Sequence, residues 1–72
     1  MTMELLPVTS SNIAAIGYDE NSATLTIQFK TGAAYEYFDV PQFEFDNLVS
    51  ADSIGSYANQ HIYKKYRENR IG

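Results

Sequence analysis

The sequence predicts an α+β domain in which an antiparallel sheet is followed by two helices packed on one of its faces. Leu25, Ile27 and Phe29 alternate with polar residues, a pattern typical of a strand with one buried face. Residues 30–32 then form a turn that contains a glycine, and a second extended stretch follows it. Pro41 suits the first turn of a helix, because an N–H group at that position would have no intrahelical partner.

The expected sheet is a three-stranded antiparallel meander. Its strands cover residues 13–19, residues 24–30 and the tyrosine-rich stretch after the turn. Residues 3–8 add a short strand at an edge, because Pro7 has no N–H group to donate to a central ladder. Gly17 interrupts the first strand of the meander and indicates a bulge or a close approach of another segment.

The length of the turn after Phe29 decides which way Tyr35 and Tyr37 point. A two-residue turn would place both rings on the polar face of the sheet, and a three-residue turn would place them on the apolar face. A two-residue turn of type I′ needs a positive φ at Thr31, which a β-branched residue resists, whereas the longer turn needs it only at Gly32. We therefore expect the three-residue turn, with a water-facing opposite side made of Thr26, Gln28, Ala34 and Glu36.

The two expected helices cover residues 41–50 and about residues 53–67. Gly55 in the first turn of the second helix indicates close packing there, and the caps available to that helix are Asp52 and Ser53. The apolar face of the first helix consists of Phe45, Leu48 and Val49. The inner face of the second consists of Ile54, Ala58, Ile62 and Tyr66, and its outer face includes Asn59, Tyr63, Lys64 and Arg67.

Length and composition limit the class of protein. The chain has 72 residues, which predicts a single domain over residues 1–72. It has no cysteine, which excludes disulfides and thiolate metal sites, and no apolar run long enough to span a membrane. His61 is the only histidine and is expected to be a partly buried helix residue, because one histidine with carboxylates ligates zinc poorly. No nucleophile or acid–base constellation is visible, so we expect a cytoplasmic, non-enzymatic protein without metal or cofactor.

Charge is distributed unevenly along the chain. The net charge is −4, and residues 1–63 carry eight acids but only one base, Lys30. The other cations lie near the C-terminus: Lys64, Lys65, Arg67 and Arg70. They either complement the negative end of a helix dipole or form a small anion-binding patch.

These elements together resemble the KTSC domain, a family named for the C-terminal module of some lysyl-tRNA synthetases. The resemblance covers about residues 8–67, and Tyr35-Glu36-Tyr37 is its hallmark. The other residues that carry it are Ser10, Ser11, Ile16, Gly17, Tyr18, Asp19, Leu25, Ile27, Phe29, Gly32, Val40, Pro41, Leu48, Ser53, Gly55, Tyr57, Asn59 and Ile62. The resemblance implies a small accessory domain for which RNA binding has been suggested, and no catalytic residues are assigned in the family.

The chain departs from the family pattern at several positions. Glu44 stands where an apolar residue is common, and Ala58 stands where an aromatic residue is common. Basic residues are frequent at the positions that here hold Ile54, Ser56, Gln60 and Tyr63. The last group matters most, because it reduces the charge that any contact with RNA would use.

The sequence thus supports two functional hypotheses. The first is a non-enzymatic RNA-binding domain in which the four C-terminal cations contact phosphates, with Asn59 and Tyr63 beside them. The second is a protein-interaction module that uses the acidic surface or an open sheet edge. The tyrosines of the hallmark would stack on bases if they were exposed, but the turn favours burial. The residues expected to be structural are therefore Tyr35, Tyr37, Gly32 and Pro41.

Overall fold

A computed structural model describes residues 5–72, which fold into a five-stranded antiparallel sheet and two helices. The strands lie side by side in chain order. They are β1 (Leu6–Pro7), β2 (Ile13–Asp19), β3 (Thr24–Phe29), β4 (Ala34–Tyr37) and β5 (Glu68–Arg70), and the helices are α1 (Gln42–Ser50) and α2 (Ile54–His61). The α+β class agrees with the prediction, but the strand count was wrong. The first two residues of the expected strand over residues 3–8 lie outside the described residues.

The turn between β3 and β4 has three residues, as expected. The Phe29 N–H donates to the carbonyl of Ala33 at 2.8 Å, and Gly32 adopts a positive φ of 98°. Both tyrosines of the hallmark therefore lie opposite apolar residues of β3. Tyr37 is only 2% exposed, and Tyr35 is half-buried beside it.

The opposite side of the sheet is less exposed to water than expected. Thr26 in the central strand is only 6% exposed, whereas Gln28, the next residue on that face, is exposed. Thr26 lies between Gly17 and Glu36 on the neighbouring strands. The prediction of a water-facing side is therefore wrong at the centre of the sheet.

A β-bulge lies near the start of β2, where the register shifts between Ile13 and Ala15. The extra residue lets Ile13 and Ile16 both point toward the core, and both side chains are completely buried. Strict alternation would place these two side chains on opposite faces of the sheet. The irregularity expected at Gly17 therefore occurs earlier in the strand.

The second helix is shorter than expected, and the chain after it returns to the sheet. α2 ends at His61, which is exposed rather than partly buried. Lys64 then adopts a positive φ of 64°, a conformation that does not continue a helix. Residues 68–70 pair with β4 as an antiparallel edge strand. The predicted helix over residues 53–67 is thus wrong in its second half.

The core lies between one face of the sheet and the two helices. Pro41 immediately precedes α1, and its carbonyl accepts a hydrogen bond from the N–H of Glu44 at 3.0 Å. Leu48 of α1 is buried as expected, but Val49 is 39% exposed. Neither helix within residues 5–72 is long and apolar enough to cross a membrane. The buried apolar residues that contact one another are Ile13, Ile16, Leu25, Ile27, Tyr37, Val40, Leu48, Ala58 and Ile62.

Candidate nucleic-acid interface

A polar cleft of about 480 Å³ opens between the turn that precedes β2 and the start of α2. It is lined by Ser11, Asn12, Ser53, Gly55, Ser56, Asn59 and Tyr63. No acidic or basic side chain is among these residues. Hydroxyl and amide groups therefore dominate the lining, which favours a polar ligand over an apolar one.

Ser10 holds the turn that forms one wall of the cleft. Its Oγ accepts a hydrogen bond from the backbone N–H of Ile13 at 3.3 Å and donates to Oδ1 of Asn12, also at 3.3 Å. Such local bonding is the usual behaviour of serine and asparagine in turns. The Asn12 side chain lies so close to α2 that a Cβ atom at Gly55 would be 2.9 Å from its Oδ1. The close packing predicted at Gly55 is thus confirmed, and Asn12 is its partner.

The first turn of α2 forms the opposite wall. Ser53 caps the helix, because its Oγ accepts a hydrogen bond from the backbone N–H of Ser56 at 3.3 Å. The N–H groups of a first turn have no intrahelical acceptors, and the helix dipole adds partial positive charge there. An anionic group is therefore favoured at this wall even without a charged side chain.

Tyr63 lines the cleft and also packs against the sheet. Its ring centroid lies 6.0 Å from that of Phe29 and 6.1 Å from that of Tyr37. The hydroxyl is buried without a hydrogen-bond partner among residues 5–72, and burial raises the pKa of Tyr63. The outer-face position expected for Tyr63 is wrong, because the chain leaves α2 before reaching it. Asn59 lies on α2 and is exposed, as expected.

Three lysines neighbour residues of the cleft lining, either in the chain or through a backbone hydrogen bond. The backbone N–H of Lys30 donates to the carbonyl of Asn12 at 2.9 Å, so the turn after β3 lies next to one wall. Lys64 and Lys65 directly follow Tyr63, and all three lysine side chains are exposed. An uncharged polar lining with lysines on neighbouring residues suits a chain of alternating sugars and phosphates.

The two arginines lie in β5 and just before it. Arg67 precedes β5, and its guanidinium carbon lies 5.3 Å from the centroid of the Phe38 ring, within cation–π range. Arg70 lies in β5 opposite Tyr35, and its Nε donates to the carbonyl of Gly72 at 2.8 Å. The four C-terminal cations therefore do not share one helix face.

Exposed charges separate toward the two ends of the sheet. One end, which adjoins the cleft, carries Lys30 after β3 and Arg70 in β5. Arg67 is an exception, because it lies at the other end. That end carries four acids, which are Asp19, Glu20, Asp39 and Glu68. Four of the nine acids thus lie at the end away from the cleft, whereas Asp52 directly precedes Ser53 of the cleft lining.

Tyr35 and Tyr37 do not form an exposed surface for base stacking. Tyr37 belongs to the core, and burial is the main reason that its pKa is raised. Tyr35 packs between two other rings, with its centroid 6.4 Å from that of Tyr37 and 6.0 Å from that of Phe29. This placement agrees with the structural role expected from the turn.

A buried carboxylate on α1 was not expected from the sequence. Glu44 accepts hydrogen bonds from the hydroxyls of Tyr57 and Tyr66, the latter at 3.0 Å. The ring of His61 lies beside Tyr57, with centroids 4.4 Å apart. Glu44 therefore joins α1 to α2 and to the segment after it. Within residues 5–72, no three His, Asp or Glu side chains lie close enough together to hold a metal ion.

Comparison with known families matches residues 9–66 to the model of the KTSC domain. The chain belongs to the KTSC domain family. An uncharacterized protein of Stutzerimonas stutzeri is 37% identical over 71 residues, which cover 96% of this KTSC chain and 99% of that protein. A protein of Tsukamurella paurometabola is 41% identical over 61 residues, covering 85% of this chain and 91% of its own length.

The KTSC fold also occurs within a longer protein. A lysine–tRNA ligase of Nostoc punctiforme is 38% identical over 67 residues, which cover 93% of this chain but only 12% of the ligase. The crystal structure of a KTSC domain protein from Yersinia pestis matches with a TM-score of 0.95 at 38% identity, covering 99% of this chain and 100% of that one. The same domain therefore serves both as nearly a whole small protein and as a minor part of a ligase.

Several residues that carry the KTSC resemblance meet at the cleft. Ser11, Ser53, Gly55 and Asn59 line it, and Ser10 holds one of its walls. The sequence indicated Ser53 only as a helix cap, and nothing in the sequence brought it together with Ser10 or Ser11. Their convergence depends on how the turn before β2 docks against α2, which no local pattern in the sequence reports.

Proposed function

We propose that this KTSC domain is a non-enzymatic RNA-binding module that holds part of a single-stranded sugar–phosphate backbone in the polar cleft. The observation that carries the proposal is a cleft lined by uncharged donors and acceptors at the start of α2. Three exposed lysines adjoin its residues, either in the chain or through a backbone hydrogen bond. Lys30, Lys64 and Lys65 contact phosphates. Ser56 and Asn59 hydrogen-bond to the sugar or to a base edge.

The cleft chemistry favours RNA over DNA and single strands over duplexes. Serine hydroxyls and asparagine amides both donate and accept hydrogen bonds, which suits a ribose 2′-hydroxyl. Proteins that read RNA by sequence mostly do so in single-stranded loops and ends, whose nucleotides can enter a pocket.

A relative supports RNA as the ligand class. A protein named lysine–tRNA ligase contains a segment 38% identical to this chain, and that name associates the ligase with tRNA. A small domain joined to such a ligase lies near tRNA whenever the ligase binds it, and tRNA carries the sugar–phosphate backbone that the cleft would hold. We therefore propose tRNA as the first RNA to examine.

The number of cations predicts weak, salt-sensitive binding. Three lysines contacting a single strand give a slope of about −2 in log K against log salt concentration, since each contact contributes about −0.7. Affinity should therefore fall roughly tenfold when the salt concentration is tripled. Binding should be sought at low ionic strength.

The test is a titration of fluorescently labelled tRNA, and of an unstructured oligoribonucleotide, followed by anisotropy. We expect binding in the micromolar range at low salt, weakened by Asn59→Ala and by Lys64→Gly. Lys64→Gly is chosen because glycine accepts the positive φ of 64° at this position, so the charge is lost without backbone strain.

Asp39→Gly is the matched control. Asp39 also has a positive φ, of 59°, and is exposed at the acidic end of the sheet. We expect this variant to bind RNA at least as well as the original chain. The proposal fails if no binding occurs in the micromolar range, or if Lys64→Gly and Asn59→Ala bind as tightly as Asp39→Gly.

A protein-interaction module is the second candidate function. The observation that favours it is the outer edge of β5, which has no further strand beside it among the described residues. Affinity purification from cells, with and without nuclease, separates the two candidates. A partner that survives nuclease favours protein interaction, and a partner lost with the RNA favours the cleft.

A further inference from the structure

The two edges of the sheet differ in their capacity to pair with another strand. β1 forms one edge, and Pro7 there lacks an N–H group. β5 forms the other edge, contains no proline or glycine, and is exposed along its whole length. An edge of this kind presents unpaired backbone groups to any strand of matching register.

The hydrogen bonds between β4 and β5 show which backbone groups of β5 face outward. Phe38 donates to the carbonyl of Arg67 at 2.9 Å, and the N–H of Ile71 donates to Ala34 at 2.8 Å. Residues 67 and 71 therefore face β4, and Asn69 between them does so too, because facing alternates along a strand. The N–H and carbonyl groups of Glu68 and Arg70 point away from the sheet.

The outward-facing groups of β5 could pair with a second β5 in three antiparallel registers. The charges of the side chains distinguish among these registers. Glu68 would lie opposite Glu68 in one register, and Arg70 opposite Arg70 in another, and like charges directly opposite one another are destabilising. In the remaining register each Glu68 lies opposite Arg70 of the second copy. That register forms two opposite-charge pairs and places its two-fold axis between the Asn69 residues.

We propose that β5 pairs with β5 of a second copy of this chain in the Glu68–Arg70 register, which joins the two sheets into one. The Glu68 and Arg70 side chains lie on the same face of the sheet, because they are opposite Tyr37 and Tyr35 of β4. In the dimer, both Glu68–Arg70 pairs therefore lie on the face of the joined sheet that carries the helices.

The charges at the sheet ends support the same arrangement. Antiparallel pairing brings the end with Lys30 and Arg70 of one copy toward the end with Asp39 and Glu68 of the other. Charged residues on an edge normally prevent association with arbitrary strands. Here the same charges exclude two of the registers and permit the third, so they select a copy of the same chain as partner.

The paired segment is short, so the dimer belongs to the weak class. Interfaces of small area are typical of transient association rather than of obligate dimers. We expect a monomer in dilute solution and a dimer that accumulates as the protein approaches millimolar concentration. This inference does not depend on RNA binding, since the cleft contains none of the residues of β5.

The test is sedimentation equilibrium over a concentration series with two single charge reversals. E68R and R70E each replace two opposite-charge pairs with like-charge pairs, and each should weaken the dimer by roughly tenfold. Mixed in equal amounts, the two variants should form a heterodimer as strong as the original homodimer, because one edge is then entirely positive and the other entirely negative. Asp46→Arg reverses an exposed charge on α1 and should leave the dimer unchanged. Its neighbour Phe45 stacks on Tyr18 of β2, so this position lies away from β5.

A backbone variant tests the pairing without relying on charge. Arg70→Pro removes an outward-facing N–H group and leaves the hydrogen bonds to β4 in place. It should abolish the dimer while far-UV circular dichroism stays unchanged. A native chain that remains monomeric at millimolar concentration overturns the proposal. A dimer that resists both single reversals, or a mixture that forms no heterodimer, overturns it equally.

Discussion

Three residues adopt a backbone conformation that glycine reaches more easily. Ala23, Asp39 and Lys64 have φ values of 53°, 59° and 64°. Each lies where the chain changes direction: Ala23 before β3, Asp39 between β4 and α1, and Lys64 after α2. In the left-handed region, a residue with a Cβ atom is destabilised by about 1–2 kcal/mol, so surrounding contacts must hold these bends in place. One such contact is the hydrogen bond from the N–H of Val40 to the carbonyl of Ala23 at 2.9 Å.

Ala23→Gly is therefore expected to stabilise the protein. Relief of the left-handed strain outweighs the extra freedom of glycine in the unfolded chain, and the net gain should be about 0.5–1 kcal/mol. Urea unfolding followed by circular dichroism measures it. Ala58→Gly in α2 is the comparison and should lose at least about 1 kcal/mol. A loss of stability in Ala23→Gly would mean that its methyl group, rather than the bend, is what the fold requires.

Gly55→Ala tests the cleft at a single residue. The added Cβ would lie 2.9 Å from Oδ1 of Asn12, which must move. Alanine in a helix gains about 1 kcal/mol over glycine, which offsets the cost of displacing a short, exposed side chain. We expect stability to change by less than about 1 kcal/mol while RNA affinity falls. The double variant Gly55→Ala with Asn12→Ala shows why RNA affinity falls. If the displaced Asn12 side chain blocks the cleft, the smaller alanine restores the affinity. If RNA needs a contact with Asn12, the affinity stays low.

At the level of elements, Glu44 connects α1 with α2 and with the segment after α2. Both of its partners are tyrosine hydroxyls, one in each of those segments. A hydrogen bond to a charged group contributes about 1.5–3 kcal/mol, and these helices are short.

Glu44→Ala is expected to destabilise the protein by about 2 kcal/mol, and Glu44→Gln by about half as much, because glutamine keeps an acceptor but loses the charge. Chemical unfolding of both variants measures the difference. A double-mutant cycle with Tyr66→Phe should show coupling, since the two groups are 3.0 Å apart. Purely additive losses would show that the hydroxyl finds an equally good partner in water.

The elements that could be predicted from the sequence are those with a local steric or periodic cause. Thr31 and Gly32 decided the length of the turn and thereby the direction of Tyr35 and Tyr37. β5 escaped prediction because a strand exposed on both faces shows no alternation of apolar and polar residues. The end of α2 escaped it because Lys64 is an unusual residue in a left-handed conformation. The cleft forms only where two segments distant in sequence dock against each other. Some of its residues could therefore be named from the sequence, but their proximity in space could not be predicted.

For the whole molecule, the tyrosines make stability sensitive to alkaline pH. Burial raises the pKa of Tyr18, Tyr37, Tyr63 and Tyr66, the last to about 12, and the hydrogen bond to Glu44 raises that of Tyr57. Between the unfolded pKa of 10.0 and about 12, the unfolded chain binds fewer protons than the folded one. The free energy of unfolding must therefore decrease as the pH rises through this window.

We expect constant tyrosine-dependent stability below pH 10.0 and a steep loss up to about pH 12. Urea midpoints across this range measure the loss, and absorbance at 295 nm reports phenolate formation. The two signals should change together, because the buried phenols ionise on unfolding. Phenolate formation that clearly precedes the loss of helix signal would contradict this expectation.

The separation of charge along the sheet gives the molecule an electric dipole moment. The net charge alone does not report this, because it does not describe where the charges lie. Acids gather at the end with Asp19 and Asp39, and Lys30 lies at the end beside the cleft. A polyanion diffusing toward the protein is repelled by one end and attracted to the other, so it meets the domain in a preferred orientation. Salt weakens this guidance, and association rates should fall with ionic strength more than dissociation rates rise.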